Sequence, residues 1–173
     1  MNVNLNNKTI LFIDLDGTLI KTVSGKTFPE DVTDFRIQLP VLDKIIEKLP
    51  NLEYLFIVTN QGGIGKFITK DAFEAKLYSI ENFCALYLGS KLINFFASDS
   101  YYCASLDKEN NHRKPNTGML KEGINEYFCS KDRDKYIMIG DASGKPGDFS
   151  DSDKKCAENF GIDYIDVRDF LNL

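Results

Sequence analysis

No apolar run in the chain approaches the roughly 18 residues that a bilayer-spanning helix needs, so no membrane span is expected. The first residues, Met1 to Lys8, are too polar for a secretory signal, and the apolar residues after them make only a strand-length run. A soluble intracellular monomer, of cytoplasm or nucleus, is therefore expected. Histidine occurs once, at His112, which leaves little material for Ser–His or Cys–His nucleophilic catalysis. The four cysteines, Cys84, Cys103, Cys129 and Cys156, include no CxxC pair, so neither a zinc knuckle nor a redox motif is supported and reduced thiols are expected. Positive charge is also short: 21 Lys and Arg face 26 Asp and Glu, a net charge of −5. That balance argues against broad, sequence-blind binding of nucleic acid, while leaving room for a local basic mouth around an acidic site. Internal repeats, low-complexity tracts and linkers are missing as well.

What is present suits one α/β domain over residues 1–173, a length that buries about 70% of the unfolded surface without disulfide or metal staples. Lys8–Ile13 reads as a buried strand that Asp14 ends. Leu39-Pro40 opens a helix with a core stripe of Val41, Leu42, Ile45, Ile46 and Leu49, and Pro50-Asn51 stops it. Tyr54–Val58 is the second strand; Phe73, Leu77, Ile80, Cys84 and Tyr87 mark a long helix; Leu92–Ala97 is the third strand. Leu120, Ile124 and Phe128 line another helix, followed by a strand at Tyr136–Ile139, a short helix over Ser152–Phe160 and a last strand at Asp163–Ile165. Such alternation implies a parallel sheet, right-handed crossovers and helices on both faces.

Ligands of open α/β sheets bind beyond the carboxyl ends of the strands. Three strand ends here are followed at once by polar residues: Asp14-Leu15-Asp16-Gly17-Thr18, Thr59-Asn60-Gln61-Gly62-Gly63 and Gly140-Asp141. Asp14, Asp16 and Asp141 would then share one small space, and three carboxylates stay ionised together only around a cation. Hard oxygen donors of this kind suit Mg²⁺, and a carboxylate can itself be a nucleophile that takes up a phosphoryl group. The calcium-loop pattern fails, because the later acidic ligands after Gly17 are missing. Gly62–Phe67 is no P-loop either: its glycine spacing is wrong and Phe67 replaces Ser/Thr.

In this order, Asp14–Thr18, Thr59, Lys114 and Gly140-Asp141 resemble the four motifs of haloacid dehalogenase (HAD) superfamily phosphohydrolases. A closer resemblance, to the phosphatase domain of polynucleotide kinase 3′-phosphatases, spans most of the chain. It rests on Asp14–Ile20 with Ser24-Gly25-Lys26 and Phe28-Pro29, Thr59-Asn60-Gln61 with Gly63-Ile64, and Arg113-Lys114-Pro115 with Gly118-Met119. Gly140-Asp141-Ala142 and Gly144, continuing as Asp148-Phe149-Ser150 with Asp153, complete it and are its most specific part.

The resemblance implies a HAD-like Rossmannoid three-layer fold, with a central parallel sheet and a minimal, flap-only cap at about Leu19–Gln38. It implies Asp14 as nucleophile and Asp16 as acid and base. Mg²⁺ would be held by Asp14, Asp141 and the backbone carbonyl of Asp16. Thr59 and Asn60 would hold the phosphoryl group, Lys114 would balance charge on it, and Asp153 would orient metal waters or Lys114. Lys26, Lys66, Arg113 and Lys145 are the expected substrate contacts, joined by Lys21 in a basic mouth. The implied activity is removal of 3′-phosphate from DNA strand-break ends, in repair. Lys145 stands where the family usually has Arg, and His112 where an aromatic often precedes the Arg-Lys-Pro motif. Related sugar and histidinol phosphatases often carry a Cys/His zinc loop; here Ser98–His112 offers only Cys103 and His112, too few for a closed site. Two other functions remain open: a small-molecule phosphatase for a sugar, histidinol or nucleotide monophosphate, and a non-catalytic module that binds phosphate ends.

Overall fold

The computed structural model describes residues 3–26, 29 and 31–173. Its centre is a five-stranded parallel sheet in the order β5-β4-β1-β6-β7, made of β1 (Ile10–Ile13), β4 (Tyr54–Asn60), β5 (Ala97–Cys103), β6 (Tyr136–Gly140) and β7 (Asp163–Asp166). Both β1 and β6 are buried along their whole length, which is why they read as unbroken apolar runs. Successive side chains point to opposite faces and build two cores. On one face, Leu11, Ile13, Leu55, Ile57, Ile137 and Ile139 pack under α1 (Leu39–Lys48), α2 (Lys70–Gly89) and α5 (Val167–Leu171). On the other, Phe12, Phe56, Val58 and Met138 pack against α3 (Gly118–Glu126) and α4 (Ser152–Phe160). The three layers expected from the alternation are present.

Helix α1 starts as expected, with Pro40 in its first turn where a missing N–H costs nothing, and buries Val41, Leu42 and Ile45. The flap is a short antiparallel pair, β2 (Ile20–Lys21) with β3 (Arg36–Ile37), inside the expected Leu19–Gln38 segment. Phe28, part of the motif resemblance, lies outside the described residues. Among the described residues, no helix is long and apolar enough to cross a membrane.

Two expected elements are corrected. The third strand is not Leu92–Ala97 but Ala97–Cys103. Leu92 is buried and its N–H continues the end of α2 by donating to Leu88 O, whereas Ile93 is fully exposed and Phe96 nearly so. Strand β5 is the sheet edge, so it can carry Ser98, Asp99 and Ser100, whose polar atoms are met by neighbours: Ser98 Oγ donates to Glu81 O and Ser100 Oγ to Glu81 Oε2. Phe128 does not line α3: that helix stops at Glu126, and Phe128 is 92% exposed with φ of +51°. Gly123 takes the place inward, packed so close to Tyr101 that a Cβ there would crowd its ring, with Phe56 in contact beside it. Tyr101 and Tyr102 serve as strand packing, Tyr102 edge-on to Phe73 at 5.0 Å between centroids. Helix α5, which no motif announced, closes the chain over the first core.

Candidate active site

The carboxyl ends of β1, β4 and β6 lie side by side, because β1 pairs with β4 on one side and β6 on the other. Asp14 follows β1 and Asp141 follows β6, and Asp153 enters from the first turn of α4. One carboxylate oxygen from each of Asp14, Asp141 and Asp153 lies within 4.8 Å of the others. Two glycines make this packing possible. Gly17, in the left-handed region at φ +84°, leaves room that Asp141 fills, and a Cβ on Gly140 would overlap the Asp153 carboxylate.

Lys114 reaches this cluster from the loop before α3 and is itself buried. Its ammonium donates to Asp14 Oδ1 at 2.6 Å and to Val58 O at 2.8 Å, and pairs with Asp153 Oδ1 at 2.7 Å. Two hydrogen bonds and this ion pair hold the ammonium inward, so its service to a bound anion is charge and the placing of Asp14. Asn60 clamps the Lys114 backbone from both sides: its side-chain amide donates to Lys114 O at 3.0 Å and its carbonyl accepts from Lys114 N at 2.9 Å. Thr59 is buried beside them and accepts from Gln61 Nε2 at 2.9 Å, leaving its hydroxyl proton free. The same Gln61 amide donates to Asp16 Oδ2 at 2.6 Å, so one side chain ties the second aspartate to the β4 loop.

Electrostatics follow from burial and crowding. Burial, opposed by Lys114 and reinforced by Asp153 and Asp141, pushes Asp14 well above the usual carboxylate range. Burial and then the Asp153 charge push Asp141 up to about 6. Burial works against the charge on Lys114, but Asp14 and Asp153 outweigh it and raise its pKa above the ordinary lysine value. Three carboxylates around one ammonium are short of positive charge, and an oxygen-only donor set of this size fits Mg²⁺.

The expected site residues fall into two groups. Asp14, Asp16, Thr59, Asn60, Lys114, Asp141 and Asp153 are brought together. Of the expected substrate contacts, Arg113 lies beside the β4 loop, its Nη1 donating to Ser105 O at 2.7 Å. Lys66 is exposed on that loop and Lys26 is exposed in the flap. Lys145 turns elsewhere, pairing with Asp169 at 2.7 Å and Asp166 at 3.7 Å beyond the end of β7. His112 is an exposed residue paired with Glu122 at 3.2 Å, and the cysteines are free thiols with three of them buried. Sequence reasoning missed the Gln61 tie, the Asn60 side-chain clamp and Lys76. The last is a buried lysine of α2 whose ammonium sits 5.0 Å from the Phe35 ring centroid of the flap, and burial lowers its pKa against the pull of Asp16 and Asp34.

Comparison with known proteins places this geometry. The family model described as polynucleotide kinase 3 phosphatase matches residues 9–170. A bifunctional polynucleotide phosphatase/kinase of Schizosaccharomyces pombe is 35% identical over 166 residues, covering 95% of this chain and 38% of that protein. The histidine biosynthesis bifunctional protein HisB of Campylobacter jejuni is 31% identical over 162 residues, covering 90% of this chain and 40% of that one. The chain thus spans about two-fifths of the length of either relative. Among solved structures, the D,D-heptose 1.7-bisphosphate phosphatase of B. bronchiseptica, complexed with magnesium and phosphate, superposes with a TM-score of 0.64. It is 16% identical, covering 90% of this chain and 78% of that one, a likeness of fold.

Proposed function

The chain belongs to the polynucleotide kinase 3 phosphatase family and is a phosphomonoester hydrolase of the HAD type; we propose that it removes 3′-phosphate from DNA strand ends through a phosphoryl-aspartate at Asp14. The observation that carries this reading is the convergence of Asp14, Asp141 and Asp153, two of them paired with the Lys114 ammonium, with Asp16 held beside them by Gln61.

Asp14 commits Oδ1 to Lys114, which leaves Oδ2 to attack phosphorus. As that bond forms, the bond from phosphorus to the sugar 3′-oxygen breaks. Asp16 gives the leaving oxygen its proton through the carboxylate oxygen that Gln61 does not hold. Asp16, now ionised, takes a proton from water as the water oxygen attacks the phosphoryl-aspartate, releasing inorganic phosphate and restoring both carboxyl groups. Thr59 donates its hydroxyl to a phosphoryl oxygen, and the Asn60 backbone N–H supports another. Lys114 keeps Asp14 oriented and offsets charge that builds on the phosphoryl oxygens. Asp14, Asp141 and the Asp16 carbonyl would hold Mg²⁺, with Asp153 keeping Lys114 in place. Bound there, the ion would neutralise phosphoryl oxygens, as the magnesium and phosphate of the heptose-bisphosphate phosphatase suggest. Arg113 and Lys66 would meet the strand's other phosphates.

A small-molecule phosphatase is the second reading, favoured by the similarity to the histidine biosynthesis protein. One assay separates the two: turnover, with and without Mg²⁺, of a 3′-phosphorylated oligonucleotide, its 5′-phosphorylated isomer, histidinol phosphate and sugar phosphates. Strong preference for the 3′ isomer is expected. Equal rates on the two isomers, or a preference for a metabolite, would overturn the proposal.

A further inference from the structure

At the opposite end of the sheet from the catalytic carboxylates, beside Tyr136 at the start of β6, lies a cavity of about 680 Å³. Its volume is within the range of about 300–1,000 Å³ usual for ligand sites. β6 has five residues, so the cavity and the catalytic cluster stand about 15 Å apart along the strand. The walls combine rings and cations: Phe128, Tyr136 and Phe160 with Lys121, Lys131 and Arg133, and no carboxylate lines the cavity. Among the described residues, none of these three cations has a carboxylate partner. Arg133 instead lies over the Phe160 ring at 3.7 Å. Of the acids nearest in sequence, Glu122 pairs with His112, Glu126 takes the Tyr101 hydroxyl, Asp132 accepts from the Asp134 N–H, and the exposed Asp134 forms no ion pair with Arg133.

Phe128 adds an independent observation. It is a bulky residue in the left-handed region, at φ +51°, and its ring is 92% exposed at the cavity wall. That backbone is the left-handed residue that ends α3, where Cys129 N–H donates to Ile124 O at 3.0 Å, and it leaves the ring turned to solvent rather than into the core.

We propose that this cavity is a second binding site for single-stranded nucleic acid, in which Phe128 stacks on a base while Lys121, Lys131 and Arg133 meet successive phosphates. Phe128 is the exposed ring, with Tyr136 and Phe160 buried in the wall, and an exposed ring beside unpaired cations is a composition that binds such strands without sequence preference. An acidic peptide shares the charge, but β6 is paired on both sides, so the cavity offers no sheet edge for an extended peptide to join. The choice of nucleic acid rests on the polynucleotide reading of the catalytic site. The site would hold the strand away from its reacting end.

The test uses the full chain and a 5′-labelled single-stranded DNA oligonucleotide without 3′-phosphate. Anisotropy titrations at several salt concentrations compare wild type, Lys121→Glu with Lys131→Glu, and Phe128→Gly, which removes the ring and relieves the backbone. Each variant is expected to weaken binding roughly tenfold or more. The charge variant should also flatten the salt dependence by about 1.4 in log–log slope, for two lost phosphate contacts. A 5-iodouracil oligonucleotide should cross-link to Phe128, and turnover of an aryl phosphate should stay unchanged in both variants. Unchanged affinity and slope, or cross-links confined to the catalytic end, would overturn the proposal. So would displacement from the cavity by polyglutamate but not by the oligonucleotide, which would assign it to an acidic protein. If wild type binds DNA here yet leaves 3′-phosphate intact, the catalytic reading fails and this one stands.

Discussion

Two charged clusters a few residues apart in the sequence are built on opposite terms. At the ends of β1 and β6, Asp14 and Asp153 share the single ammonium of Lys114 with Asp141 crowded against them, and all but Asp141 are buried. Beyond the end of β7, Arg168 bonds Asp166 and Asp148 at 2.5 and 2.8 Å, and Lys145 bonds Asp169; the Asp148 and Asp166 carboxylates are shielded while their cations and Asp169 reach solvent. In the first cluster burial prevails and the carboxyl pKa values of Asp14 and Asp141 rise. In the second, burial is outweighed by hydrogen bonds from Ser143 and Arg168, and Asp148 and Asp166 fall below the usual carboxylate range. A satisfied network holds a loop in place. An unsatisfied one, kept by glycines that leave room for it, has the chemistry the proposed reaction asks of a site.

Substitution within the first cluster should break this contrast most sharply. Asp14→Asn is expected to abolish turnover while leaving the protein folded. Asp16→Asn should cost about 10²–10⁴-fold, the usual share of acid–base help, and single-turnover kinetics measures both. Lys114→Met should destabilise the metal-free protein by about 3–5 kcal/mol at neutral pH, because it leaves buried carboxylates without their cation. Urea unfolding reads this, and the loss should shrink at acid pH, where those carboxyls are protonated.

Mg²⁺ sharpens the comparison further. At a hundredfold excess over its Kd it should stabilise wild type by about 2.7 kcal/mol, and Asp141→Asn should lose most of that gain in thermal melts. The smallest effects separate the clusters by sign. A raised carboxyl pKa stabilises the fold below its unfolded value and loses that contribution as pH rises through the folded one. The metal-free protein should therefore lose the Asp141 contribution progressively as pH rises from about 4 to about 6. Asp166, depressed, contributes above the unfolded carboxylate range and loses its contribution as pH falls through its folded value. Arg168→Ala should weaken only this second contribution, moving acid unfolding to higher pH at a cost near 1 kcal/mol or less at neutral pH.

Where the sequence was legible, one residue type served one environment. The strands β1, β4 and β6 are buried on both faces, and the polar residues at their ends, Asp14, Thr59-Asn60 and Asp141, mark where they stop without help from distant contacts. The edge strand β5 escaped because Ser98 and Ser100 are satisfied by Glu81 of α2, a partner no local pattern reveals. Phe128 misled because its spacing continues the α3 stripe after the helix has already ended. In the site, the motif residues were legible by position, but not the grip of Gln61 on Asp16 or of Asn60 on Lys114. Those bonds span 45 and 54 residues of sequence. Lys145 follows the Asp141 loop closely enough to suggest a substrate contact, yet the acids of β7 and α5 capture it.

The central claim is that Asp14 takes the phosphoryl group from a 3′-phosphorylated strand. Acid quenching during turnover of an oligonucleotide carrying 3′-radiophosphate, followed by peptide mapping, tests it most directly. The account expects acid-stable, hydroxylamine-labile label on the peptide containing Asp14, accumulating in Asp16→Asn and absent in Asp14→Asn. Label on another residue, or full turnover with no labelled protein at any time, would contradict it.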